Sequence, residues 1–175
     1  MKKLLPIFFG LALLSAASDD IMSPEATDAK LKTVYIYNFT KYIDWPEKYK
    51  SGNFTIAILG SNSYLLSELQ KMQTVKKAGT QNFEIRSLSS LDNSSQFHML
   101  FVSPDYQTSL SDISSKLKGK STLLITDKPG MAKQGAAINF VIQSSKQKFE
   151  LSKSNAEKYK LKVSSSLAQL AILVD

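Results

Sequence analysis

The sequence predicts an α/β fold, a mixed, mostly parallel sheet with helices on both faces in three layers, plus a C-terminal hairpin and helices. Three observations carry that expectation. Apolar runs of strand length alternate with segments of helical period. Two of those runs, residues 98–102 and 122–126, are apolar at nearly every position, as strands covered on both faces are. Late in the chain two further runs are separated only by Ser144-Ser145-Lys146, which reads as an antiparallel hairpin and makes the sheet mixed.

The first segment is read as an address rather than as structure. Met1-Lys2-Lys3 is followed by an apolar run from Leu4 to Leu14 and by Ser15-Ala16-Ala17-Ser18, ahead of Asp19-Asp20. A basic start, a short apolar stretch and small residues before an acidic pair make a secretory signal peptide, residues 1–17, with cleavage after Ala17 or alternatively Ser18. The run is too short for a hydrocarbon core that needs about 20 apolar residues. The remainder, residues 18–175, is expected to be a single exported domain, periplasmic in a two-membrane bacterium and not membrane-spanning after processing.

Ser23-Pro24-Glu25 then starts a helix, with serine as cap, proline at the first helical position and an acid in the first turn. Leu31, Val34, Tyr35, Asn38, Phe39 and Tyr42 recur at spacings of three and four and are expected to face the core, with Ile36 and Ile43 widening the apolar surface. Asp44-Trp45-Pro46 ends the helix, because proline disfavours helical geometry in the residue before it. Residues 54–59 read as a strand, 64–72 as a helix, and 83–88 as a strand whose strict alternation leaves one face exposed. The strand at 98–102 follows, then a helix over 105–117 with Leu110, Ile113 and Leu117 inward, then the strand at 122–126. After Asp127-Lys128-Pro129-Gly130 and a loop through Gly135, strands are expected at 137–142 and 148–151. Short helices at 155–159 and 164–173 close the chain, the last with Leu167, Leu170, Ala171 and Val174 inward.

Composition excludes much chemistry. The chain has no Cys and one His, so disulfides, thiolate nucleophiles, thiolate metal sites and multi-imidazole metal sites are all out, and no metal or cofactor is expected. A serine hydrolase would need an activating base and a nucleophile elbow, and neither is present. His98 opens an apolar strand and reads as a core histidine bonded to a backbone carbonyl. Asp127 reads as an acceptor for its own turn. Gly60-Ser61 sits between a strand and a helix without a phosphate-binding fingerprint. Charge is uneven: nine basic and eleven acidic residues lie between Ser18 and Ser115, against eleven lysines and four acids from Lys116 onward. With one arginine, Arg86, and an export signal, nucleic acid is a poor partner, whereas acidic headgroups or an acidic partner surface suit the basic half. Tyr37 lies off the helical stripe and Trp45 in the turn that ends the helix, so both are candidates for a binding surface.

Six strings run in one order across the chain: Tyr37-Asn38-Phe39-Thr40-Lys41-Tyr42-Ile43-Asp44-Trp45-Pro46; Phe54-Thr55-Ile56-Ala57-Ile58-Leu59-Gly60; His98-Met99-Leu100-Phe101-Val102; Ile125-Thr126-Asp127 with the loop from Gly130 to Gly135; Ile138-Asn139-Phe140-Val141; and Leu161-Lys162-Val163-Ser164-Ser165-Ser166-Leu167 with Leu170-Ala171. Together they resemble the YfiR-like family. That resemblance implies a periplasmic α/β protein, often a homodimer, that is a regulator and not an enzyme. It would bind and repress an inner-membrane signalling protein, a diguanylate cyclase in the family's namesake, and be released by an outer-membrane lipoprotein. Tyr37, Tyr42 and Trp45 become the candidate partner contacts, and Asn139, Asn155 and Ser164 the candidate polar groups of a small-ligand cleft. The chain departs from the family in lacking the namesake's cysteines and in reading Gly135-Ala136-Ala137-Ile138-Asn139-Phe140 where the family has Gly-Gly-Met-Ile-Asn-Phe. The alternative function is a periplasmic small-molecule binding protein serving a transporter or sensor kinase.

Overall fold

The computed structural model describes residues 22–94 and 96–174; the expected signal peptide lies outside the described residues. Ser23 caps helix α1 (Pro24–Tyr42) by accepting from the Ala26 N–H, an interaction typically worth about 1 kcal/mol. The helix ends where Ile43 turns extended, three residues before Pro46, and runs into β1 (Ile43–Asp44). A single 3-10 turn at Glu47–Tyr49 leads to β2 (Phe54–Leu59), buried at every position. There follow α2 (Ser63–Val75), β3 (Lys77–Ala78), β4 (Gln81–Leu88), β5 (Met99–Val102), α3 (Leu110–Lys116) and β6 (Leu123–Thr126). The chain closes with β7 (Ile138–Gln143), β8 (Lys146–Leu151), α4 (Lys153–Lys158), β9 (Lys162–Val163), α5 (Ser165–Leu170) and β10 (Ile172–Leu173).

Eight strands form one sheet in the order β10-β8-β7-β6-β5-β2-β4-β3, and β1 pairs with β9 in a separate two-stranded ladder. β4, β2, β5, β6 and β7 are mutually parallel; β8 joins β7 and β3 joins β4 antiparallel. The fold class is therefore the expected mixed, mostly parallel α/β sheet. One apolar row, Ile58, Phe101, Ile125, Ile138 and Leu151, crosses five strands in register. α1 covers that face: Phe39 lies 5.2 Å from Phe149 and 6.2 Å from Phe140, and Tyr35 meets both rings. β2→α2→β4 and β5→α3→β6 step in opposite directions across the sheet, so right-handed crossovers put α2 and α3 on opposite faces. Tyr159, after α4, bonds Ser114 of α3 on that second face.

Three expectations about elements fail for physical reasons. Of the expected stripe Phe39 is buried, with Ile36 beside it, but Leu31 and Val34 are 46% and 54% exposed, and Ala29, Lys32 and Thr33 complete the buried face of α1. A lysine fits that face because Asp28 and Asp127 both pair with its ammonium, while its stem packs over Phe140. The helix expected over 105–117 forms only from Leu110, where Ser109 caps it. The helix expected over 164–173 stops at Leu170, which is exposed, because Ile172–Leu173 leave it to pair in parallel with Glu150 and Leu151.

Candidate functional site

Open parallel sheets bind ligands beyond the carboxyl ends of their strands, and the best-formed crevice in this chain lies there, past β5 and β6. It encloses about 240 Å³, room for about eight waters. Val102, Leu110 and Met131 give it apolar walls, and Thr108, Thr126, Lys128 and Gln134 supply hydroxyls, an ammonium and an amide; no acid lines it. Ser103, which also lines it, is buried, and its Oγ has no partner among the described residues. The neighbouring gap between β2 and β5 is filled: Gly60, at φ +94°, sits so close to Ser103 and Tyr106 that a Cβ there would come within 3.1 Å of the Ser103 Cβ. The crevice is thus set one strand away from the turn after β2, with hydroxyls and amides that can donate or accept and one positive charge.

Two of the three candidate ligand residues stand behind its walls rather than in it. Asn139 is fully buried; its Oδ1 accepts from Thr126 Oγ1 at 2.8 Å and from the Lys128 N–H at 3.2 Å, and its amide donates to Glu150 Oε2 at 2.8 Å. Thr126 and Lys128, both lining the crevice, are held by that one side chain. Asn155 donates to the carbonyls of Ala132 and Ala136 at 2.8 and 3.0 Å, pinning the turn that presents Met131 and Gln134. Ser164 is elsewhere: it caps α5 by accepting from the Leu167 N–H. The lining residues Ser103, Lys128 and Gln134 were missed in the sequence. The available signal was position, since Ser103 directly follows one apolar strand run and Lys128 comes just after another, but residue type alone marks neither as a ligand contact.

The groups with reactive potential are committed to the core. His98 Nδ1 accepts from the Thr55 N–H at 3.0 Å and its Nε2 meets the Tyr49 carbonyl at 2.7 Å, which fixes the proton on Nε2. Burial pushes its pKa down, against the Tyr49 carbonyl, which favours the charged form. Burial pushes the Asp127 carboxyl up, against the pull of the Lys32 ammonium paired with it. Among the described residues no three His, Asp or Glu side chains group as metal ligands, and no helix is long and apolar enough to cross a membrane.

The candidate partner contacts part company. Trp45, expected at a surface, is 5% exposed: it donates to the His98 carbonyl at 3.2 Å and stacks edge-on to Phe54 at 5.0 Å. An indole with an apolar body and one donor is satisfied by such a niche. Tyr37 is half-buried, against Phe83 on one side and the ammonium of Lys41, 4.3 Å from its ring, on the other. Tyr42, expected on the core stripe, is 37% exposed. The structure does not bring the three together as one surface.

Compared with known families, residues 29–172 match the model of the YfiR/HmsC-like family. No curated protein matches the chain.

Proposed function

The chain belongs to the YfiR/HmsC-like family, and from that membership we propose that it is a non-catalytic periplasmic regulator that binds the periplasmic part of an inner-membrane signalling protein and lowers its output. By likeness the partner is a diguanylate cyclase and the output cyclic-di-GMP. The match over most of the chain is the observation that carries the reading. The chemistry supports it: the lone histidine is held by core partners and the half-buried Asp127 by Lys32, and neither lines the crevice. A protein that prefers one conformation of a receptor shifts its population by that preference alone and needs no reaction. The leader ending near Ala17, a single working domain after it, homodimerisation and release by an outer-membrane lipoprotein belong to the same proposal. Of the candidate contacts, Tyr42 and the rim of Tyr37 are accessible to a partner; Trp45 supports the turn between them and the sheet.

Deleting the gene and measuring cyclic-di-GMP tests the reading. A several-fold rise, reversed by the wild-type copy and by which a membrane diguanylate cyclase co-purifies with the tagged protein, is the expected result. Unchanged cyclic-di-GMP, with only solute-uptake components co-purifying, refutes it.

The crevice favours a second reading, a sensor of a small molecule. Polar walls, one ammonium and no acid suit a small carboxylate or other anion with an apolar body. Such a ligand, bound only to the folded state at a hundred times its Kd, raises stability by about 2.7 kcal/mol. A panel of small carboxylates in thermal unfolding checks it; no shift with any member, or equal shifts in a Lys128→Gln, Gln134→Ala protein, counts against the crevice.

A further inference from the structure

Because β2, β4, β5 and β6 are parallel, the segments that enter them gather at one end of the sheet. Three of these segments each carry a pair of lysines: Lys48 and Lys50 before β2, Lys76 and Lys77 before β4, Lys118 and Lys120 before β6. A fourth pair, Lys160 and Lys162, joins them, since β9 pairs with the strand that directly follows α1. All but Lys120 are exposed. Of the acids in these segments, Asp44 and Glu47 are both engaged by Lys50, and Asp92 lies in the segment that enters β5. At the opposite end one exposed pair, Lys146 and Lys148, follows β7, while the segments after β5 and β6 carry acids, Asp105 and Asp127, beside Lys128.

We propose that this lysine-rich end is a docking face for an anionic lipid bilayer. Four separate loops spread the charge over a broad end instead of focusing it in a groove. Lysines are compact, strongly hydrated point charges without the fork that fixes arginine to one carboxylate geometry, so they suit a fluid layer of phosphate headgroups better than a shaped protein site. Two apolar side chains stand among them: Val75, 73% exposed beside Lys76, and Tyr42, 37% exposed beside Lys41. Basic residues around an exposed aliphatic and an amphipathic ring are the composition of an interfacial contact. The face stands independently of the regulatory reading, because lipid alone is its partner.

Flotation of the protein as recovered from the cell envelope, with vesicles of phosphatidylcholine alone or with phosphatidylglycerol added, tests it. Binding to the anionic vesicles at low salt, weakened at about 0.15 M salt, where the Debye length falls to about 8 Å, is the expected result. A Lys76→Gln, Lys77→Gln, Lys118→Gln, Lys120→Gln protein, shown to be folded by circular dichroism, should bind at least about tenfold more weakly. A Lys128→Gln, Lys146→Gln protein, altered at the other end, should bind like wild type. Equal binding to neutral and anionic vesicles, or no binding to either, overturns the proposal; so does undiminished binding of the fourfold variant. An acidic protein partner would show itself as lipid-independent, salt-sensitive capture with no flotation.

Discussion

His98 shows how one side chain joins three parts of the chain. Its ring takes the Thr55 N–H at the second residue of β2, gives to the Tyr49 carbonyl in the turn before it, and lies 4.2 Å from Phe54. Protonating Nδ1 would aim a hydrogen at the Thr55 N–H, so the folded state resists it. Burial holds its pKa below the ordinary 6.5, against the Tyr49 carbonyl, and the unfolded chain takes up the proton first. The stability His98 confers is intact above about pH 6.5 and is lost progressively as pH falls below it. His98→Gln should lower stability by about 2 kcal/mol at pH 7.5 and flatten the fall in Tm between pH 7 and pH 5, read by thermal unfolding at stepped pH. A variant as steep as wild type would place the acid sensitivity elsewhere. The core role of His98 was legible in the sequence from one apolar neighbourhood; the burial of Lys32 was not, because its two carboxylate partners lie four and ninety-five positions away and only the second depends on the fold.

At the scale of elements, local chemistry carried the reading furthest where it acts alone. Ser23-Pro24 placed the start of α1, and the apolar runs placed β2, β5, β6 and β7 to within a residue or two. The hairpin was also legible, but not its strain: Ser144 and Ser145 sit at φ 51° and 59°, a left-handed pair that two-residue hairpins prefer to build from Asn-Gly. Ser144→Asn with Ser145→Gly should stabilise the protein by about 1 kcal/mol, raising Tm by about 3 °C; an unchanged or lower Tm would show that the turn is held by other contacts. What escaped was set by distant pairing. β3, β9 and β10 are two residues each, too short to leave a periodic trace, and β10 exists because the backbone of Glu150 and Leu151 offers it an edge. Of the stripe with helical period, Leu31, Val34 and Tyr42 stay outside, whereas Phe39 turns in with Ile36 and meets Phe140 and Phe149. Periodicity finds an apolar face; it does not choose between two.

For the whole molecule, the sheet order gathers at one end of the sheet four lysine pairs that are scattered along the chain. Lysine pairs at successive strand entries are far apart in sequence and become neighbours only through parallel pairing, so the linear count from Lys116 onward hinted at the excess but not at its location. Their mutual repulsion is a cost that salt screens. Raising sodium chloride from about 10 to about 150 mM should lift Tm by a few degrees, measured by calorimetry; a fall would mean that screened ion pairs, such as Arg86 with Glu84, outweigh it. The crevice was not legible in the sequence, because the hydroxyls and amides that line it resemble any loop, and Asn139 and Asn155, expected as ligand groups, are buried behind it. One last consequence follows from where the only tryptophan rests. Pressed against Phe54 and the His98 ring, Trp45 should emit in the blue while the fold is intact, shift red as it comes apart, and dim when the imidazole is charged. The molecule thereby carries its own optical gauge of acid damage, one that lies apart from the crevice and keeps its indole away from solvent.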